Sequence, residues 1–175
     1  MKSIRYVLVS TFLTLSIFVA WSYASCTKDS CKAVTCLNGG TCSGGSCVNC
    51  PKGIGGVGCE IEYRRLYAYT YAGSGTDDSS LVYINNTLNF SPGNDSNYTK
   101  MQLVWNGGPR SVSMPIVLVT NTSNGSTFTV VSTTVDTFTY TGAGTVTKVS
   151  ASVTLTESHP HSTPVTIMLN DFTKQ

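Results

Sequence analysis

The chain has 175 residues, seven cysteines, 11% charged residues and a formal net charge of +2. Lys2 and Arg5 carry that excess, and the rest of the chain balances nine basic against nine acidic residues. This excludes the basic stripe that a nucleic-acid partner requires. Lysines and arginines are also scattered, so no polybasic run for a membrane surface appears.

Residues 1–25 open with Lys2 and Arg5, continue through an apolar run from Tyr6 to Trp21, and end in the small residues Ala24 and Ser25. That order is an export signal, and the run is short for a stable membrane span. Cys26 follows directly. Together, Ala24, Ser25 and Cys26 resemble the lipobox of bacterial lipoproteins, with Tyr23 where that motif usually has Leu, Ile or Val. The resemblance implies that Cys26 is the acylated first residue, a membrane anchor at the N-terminus. Ordinary cleavage after Ala24, leaving Cys26 free or paired between chains, stays open. Residues 26–30 read as a linker. Its Lys28-Asp29 is similar to the signal that directs lipoproteins of Bacteroidota-type bacteria to the outer face of the outer membrane.

From Cys31 to Cys59 the chain packs six cysteines into a stretch too short to bury a core without covalent help. One CxxC, Cys47 and Cys50, with no histidine nearby, favours disulfides in an oxidising compartment over zinc. Fifteen pairings are open from spacing alone. Asn38-Gly39-Gly40 is expected to form a tight turn between two short strands, and Pro51 with Gly53 a second turn. Residues 31–60, through Cys36-Leu37-Asn38-Gly39-Gly40-Thr41-Cys42, Cys50-Pro51-Lys52-Gly53 and Gly55, Gly56, Gly58 before Cys59-Glu60, resemble an EGF-like module. That resemblance implies Cys31–Cys42, Cys36–Cys47 and Cys50–Cys59 bridges. Asp29 and the Ser43–Ser46 loop lack the family's calcium ligands, so no calcium site is expected. The loops carry no aromatic residue, and a stiff spacer is the favoured role over a recognition surface.

Residues 61–175 change character to Thr, Val, Ser and Tyr in alternating runs, with no cysteine. About eight strands are expected, including Val82, Ile84, Leu88 and Phe90 on one face and Val149, Ala151, Val153 and Leu155 on another. Expected turns include Gly73-Ser74-Gly75, Asn121 to Gly125, Gly142-Ala143-Gly144 and His159-Pro160-His161. The fold class is mostly β, an antiparallel meander closed or partly closed as a small barrel in preference to a sandwich. The whole layout resembles bacterial lipoproteins in which a lipobox, an EGF-like module and a lipocalin-like β domain follow one another.

Sites are few. His159 and His161 share a turn with prolines and no acidic cluster, so no metal site is expected there. Asp136 and Glu157 are isolated, no nucleophile-elbow serine occurs, and no catalytic residues are expected. Tyr63, Tyr67, Tyr69 and Tyr71 with Arg64 and Arg65 are expected on a half-buried strand, arginines outward. The sequons at Asn85, Asn89, Asn94, Asn97, Asn121 and Asn124 matter only in a eukaryotic secretory pathway. The functional expectation is a non-enzymatic, lipid-anchored envelope or surface protein without cofactors, whose β domain serves binding or structure. The alternatives are a soluble secreted module recognising a glycan or protein, and a barrel holding a small apolar ligand.

Overall fold

The computed structural model describes residues 30–93, 96–107 and 111–175. The leader and Cys26 therefore lie outside the described residues. Two units are stacked in sequence, a disulfide-stapled segment and a closed eight-stranded antiparallel barrel.

The first unit is built from two small hairpins. Strands β1 (Thr41–Ser43) and β2 (Ser46–Val48) pair with Cys42 opposite Cys47. Their turn is Gly44-Gly45, both at positive φ (+60° and +87°), the backbone that a two-residue hairpin needs and glycine supplies. Asn38 and Gly39 also turn at positive φ, but they precede β1 instead of joining two strands. Strands β3 (Ile54–Gly55) and β4 (Ile61–Glu62) form the second hairpin. Disulfides join Cys31 to Cys42, Cys36 to Cys47 and Cys50 to Cys59, with Cα separations of 5.9, 5.6 and 5.5 Å. Each closes a loop of about ten residues, worth roughly 2–3 kcal/mol by chain entropy.

A four-residue helix, α1 (Tyr63–Leu66), leads into the barrel. The barrel strands are β5 (Thr70–Asp77), β6 (Val82–Pro92), β7 (Lys100–Asn106), β8 (Val112–Asn121), β9 (Gly125–Val135), β10 (Phe138–Thr147), β11 (Ser150–Ser158) and β12 (Val165–Lys174). Each pairs with its sequence neighbours and β12 pairs with β5, so the expected up-and-down meander closes on itself. Closure leaves no free barrel edge to template aggregation. Trp105, Tyr67, Tyr71, Tyr140, Phe128 and Phe172 are fully buried, packed with leucines, methionines and Ile116. The outward positions are largely Thr, Ser and Asn, the reverse of the polarity a lipid-spanning barrel shows.

Two expected turns are strand interiors. Gly73 and Gly75 lie in β5, and Gly142 and Gly144 in β10. A Cβ on Gly73 would stand 2.7 Å from Phe172 Cδ2, and one on Gly144 2.6 Å from Phe128 Cζ. These glycines are gaps that bulky neighbours fill. The real turns nearby are Asp136-Thr137, with Asp136 at φ +55°, and Lys148-Val149, where Thr147 Oγ1 accepts from the N–H groups of Val149 (3.2 Å) and Ser150 (2.9 Å). Val149 consequently sits in a turn, 68% exposed, instead of in the core.

Val82 and Ile84 also leave the expected core face and point outward, 57% and 67% exposed. Register slips in β6 between its pairings with Gly73 and Gly75, where Asn85 takes φ +55°. A bulge of this kind moves every residue beyond it to the other face. Tyr83 is thereby brought onto the inner side with Asn86.

Candidate functional site

The barrel has two unlike ends. At the near end lie α1, the β6–β7, β8–β9 and β10–β11 turns and the end of β12. The β5–β6, β7–β8, β9–β10 and β11–β12 turns make the far end.

The near end is where the disulfide segment seats. Tyr63 N donates to Gly53 O at 3.0 Å. Gly53 adopts φ +92°, and a Cβ there would lie 2.6 Å from Tyr98 O, in the β6–β7 turn. Gly55 leaves similar room for the Tyr63 ring. Two glycines thus allow the segment's second hairpin to press onto tyrosines of the barrel side.

Arg64 ties the same junction. Expected on the wet face of a strand, it is only 6% exposed and sits on α1. Its Nη1 donates to Gly93 O (3.1 Å), Asn97 O (3.1 Å) and Lys100 O (3.4 Å). Its guanidinium lies 5.4 Å from the Tyr98 ring centroid. Glu62 accepts from the Nε atoms of both Arg64 and Arg65. Burial alone would raise the Glu62 carboxyl pKa, but the hydrogen bonds from Arg65 and Arg64 outweigh it and hold that carboxyl below its ordinary value. A buried charge satisfied in this way is a structural tie. Arg65 projects into solvent.

The four tyrosines do not form one stripe. Tyr67 and Tyr71 point inward and are fully buried, donating to Thr122 O and, at 2.6 Å, Thr147 O. Burial, with the neighbouring tyrosines, pushes the Tyr71 phenol up to about 12. Tyr69 is 37% exposed beneath the Lys174 ammonium, which stands 3.2 Å from its ring centroid.

At the far end, Asp77 Oδ1 accepts from Ser79 N and Leu81 N (both 2.9 Å), and its Oδ2 accepts from Tyr83 Oη (3.0 Å). Trp105 Nε1 donates to Asn86 Oδ1 at 3.0 Å, and Asn86 Nδ2 donates to Tyr83 O at 2.6 Å. Burial and the Asp77 bond raise the Tyr83 phenol to about 12. Asp77 thus holds the β5–β6 turn, while Asn86 ties Trp105 to the backbone of β6.

His159 and His161 are exposed in the β11–β12 turn, His159 tilted against Phe138 with ring centroids 4.9 Å apart. Among the described residues, no three of His, Cys, Asp or Glu converge closely enough to hold a metal ion. Asp136 occupies the β9–β10 turn and Glu157 the end of β11. An open groove of about 310 Å³ at the near end is lined by Thr120, Thr122, Thr127, Thr145 and Thr147 among others. Its hydroxyls bond mainly to one another and to the turn backbone. No family model, curated protein or solved structure matches the chain.

Proposed function

We propose that the chain is a non-enzymatic, lipid-anchored protein of the outer membrane or cell surface. In this reading Cys26 carries the anchor, residues 31–60 form an EGF-like mount, and the barrel presents its outer surface to a protein or glycan. The observation that carries it is cysteine arithmetic. Three disulfides use six of the seven cysteines, so the chain offers Cys26 no partner thiol, and acylation removes a thiol that would otherwise scramble bridges. The packed seat of Gly53 against Tyr98 supports a stiff mount over a loose tether.

Small-ligand carriage draws on the closed barrel itself. Against it stand the aromatic side chains that fill the interior, which favour surface contact over a lumenal ligand. Labelled palmitate should follow the wild-type protein into the membrane fraction, and Cys26→Ala should abolish both labelling and membrane fractionation. Protein found free in the medium without label would sink the anchor and favour a secreted adhesive module.

A further inference from the structure

Folding gathers at one corner of the near end groups that the sequence keeps far apart. Lys174 N donates to Val149 O at 2.9 Å, joining the end of β12 to the β10–β11 turn. Val149 stands 68% exposed at that tip, next to exposed Lys148. The Lys174 ammonium covers the Tyr69 ring at 3.2 Å from its centroid. One protruding aliphatic side chain is thus flanked by two ammonium groups and a half-exposed phenol ring.

Among the described residues the barrel's charges are also polarised along its axis. Its described lysines, Lys100, Lys148 and Lys174, all lie at the near end, while Asp77, Asp78, Asp136 and Glu157 lie at the far end. Among the described residues, Asp171, on the last stretch of β12, is the one acidic group of the barrel strands toward the near side, and Glu62 is engaged by Arg64 and Arg65.

We infer that the Tyr69–Lys148–Val149–Lys174 tip docks on an anionic lipid headgroup surface. Lysine ammonium groups gain from an anionic leaflet within a Debye length of it. Tyrosine suits the interface because its ring is apolar and its hydroxyl wet, and lysine stems can lie along apolar surface with the charge in water. Val149 supplies the apolar contact. The inference rests on the lipid-anchor reading: the disulfide segment seats on this same end, and the linker from Cys26 to Ser30 spans at most about 17 Å. An anchor at Cys26 would thus put the disulfide segment, and the barrel end it seats on, on the bilayer side.

The test uses full-length protein in vesicles of brominated phosphatidylcholine, alone or with phosphatidylglycerol, with a tryptophan placed by Val149→Trp or by Thr137→Trp at the far end. Expected is several-fold stronger quenching of the Val149→Trp emission than of Thr137→Trp in anionic vesicles. About 0.5 M salt should remove most of it, and so should adding Lys148→Glu with Lys174→Glu. Equal quenching at both ends, none at either, or quenching indifferent to lipid charge and salt overturns the inference. Flotation of the same samples separates the two readings. Protein that floats without quenching at position 149 keeps the anchor and overturns the tip. Salt-sensitive quenching in protein that no longer floats at high salt keeps the tip and counts against the anchor.

Discussion

Arg64 stands beside Arg65 in a run of tyrosines, and nothing in its neighbours distinguishes the two; only one of them is buried. The difference comes from α1, which turns Arg64 toward the carbonyls of Gly93, Asn97 and Lys100, in a turn that is distant in sequence. Arg64→Ala removes the side-chain donor from these carbonyls, of which Asn97 O and Lys100 O keep backbone donors in Lys100 N and Gly93 N, and leaves Glu62 with Arg65 alone. The expected loss is about 3 kcal/mol, as for breaking a buried, bonded charge, read from chemical denaturation, whereas Arg65→Ala, whose head group stands in solvent, should move the denaturation midpoint far less. The acid limb follows from Glu62. Its folded pKa is depressed, so its contribution is complete above the unfolded carboxylate value of about 4.3 and fades as pH falls through the lower folded value. Stability of the wild type measured from pH 6 down to pH 2 should fall more than that of Glu62→Gln. Parallel curves would contradict the assignment.

Among the elements, β5 and β10 show why a glycine is an ambiguous sign. Gly142-Ala143-Gly144 has the composition of a turn, yet β10 runs through it from Phe138 to Thr147. Phe128 of β9 and Leu155 of β11 lean into the missing side chains. Gly144→Ala is therefore expected to cost about 1–3 kcal/mol by overpacking, seen as a lower denaturation midpoint. The penalty arises from close neighbours and not from backbone conformation: a Cβ on Gly144 would collide with Ser152 O and stand 2.6 Å from Phe128 Cζ. A Gly144→Ala variant as stable as wild type would show that both the β11 backbone at Ser152 and the Phe128 ring can move aside. The β6 bulge carries the complementary lesson. Alternation named Leu88 and Phe90 correctly as core, but parity counted backward through Asn85 put Val82 and Ile84 inside when they are outside.

At the scale of the whole molecule, the two units are stabilised by different means. The segment through Cys59 has little core, with Ile54 and Cys59 its buried apolar residues, and depends on its bridges. The barrel has a continuous aromatic and aliphatic interior and no cysteine. Reduction should therefore abolish protease resistance in residues 31–59 while the far-UV β signal and the near-UV signal of Trp105 persist. Loss of both signals together would mean that the barrel depends on its mount. Composition and alternation alone determined that the chain is mostly β, that about eight strands form a meander, and that a cysteine-rich segment precedes them, because these follow from local period and spacing. Tertiary structure decided which apolar residues stay outside, which glycines lie within strands, and which arginine is buried. It also brought Tyr69, Lys148, Val149 and Lys174 to one corner. Bulges, facing rings and ring closure act between residues far apart in the chain, and no local pattern records them.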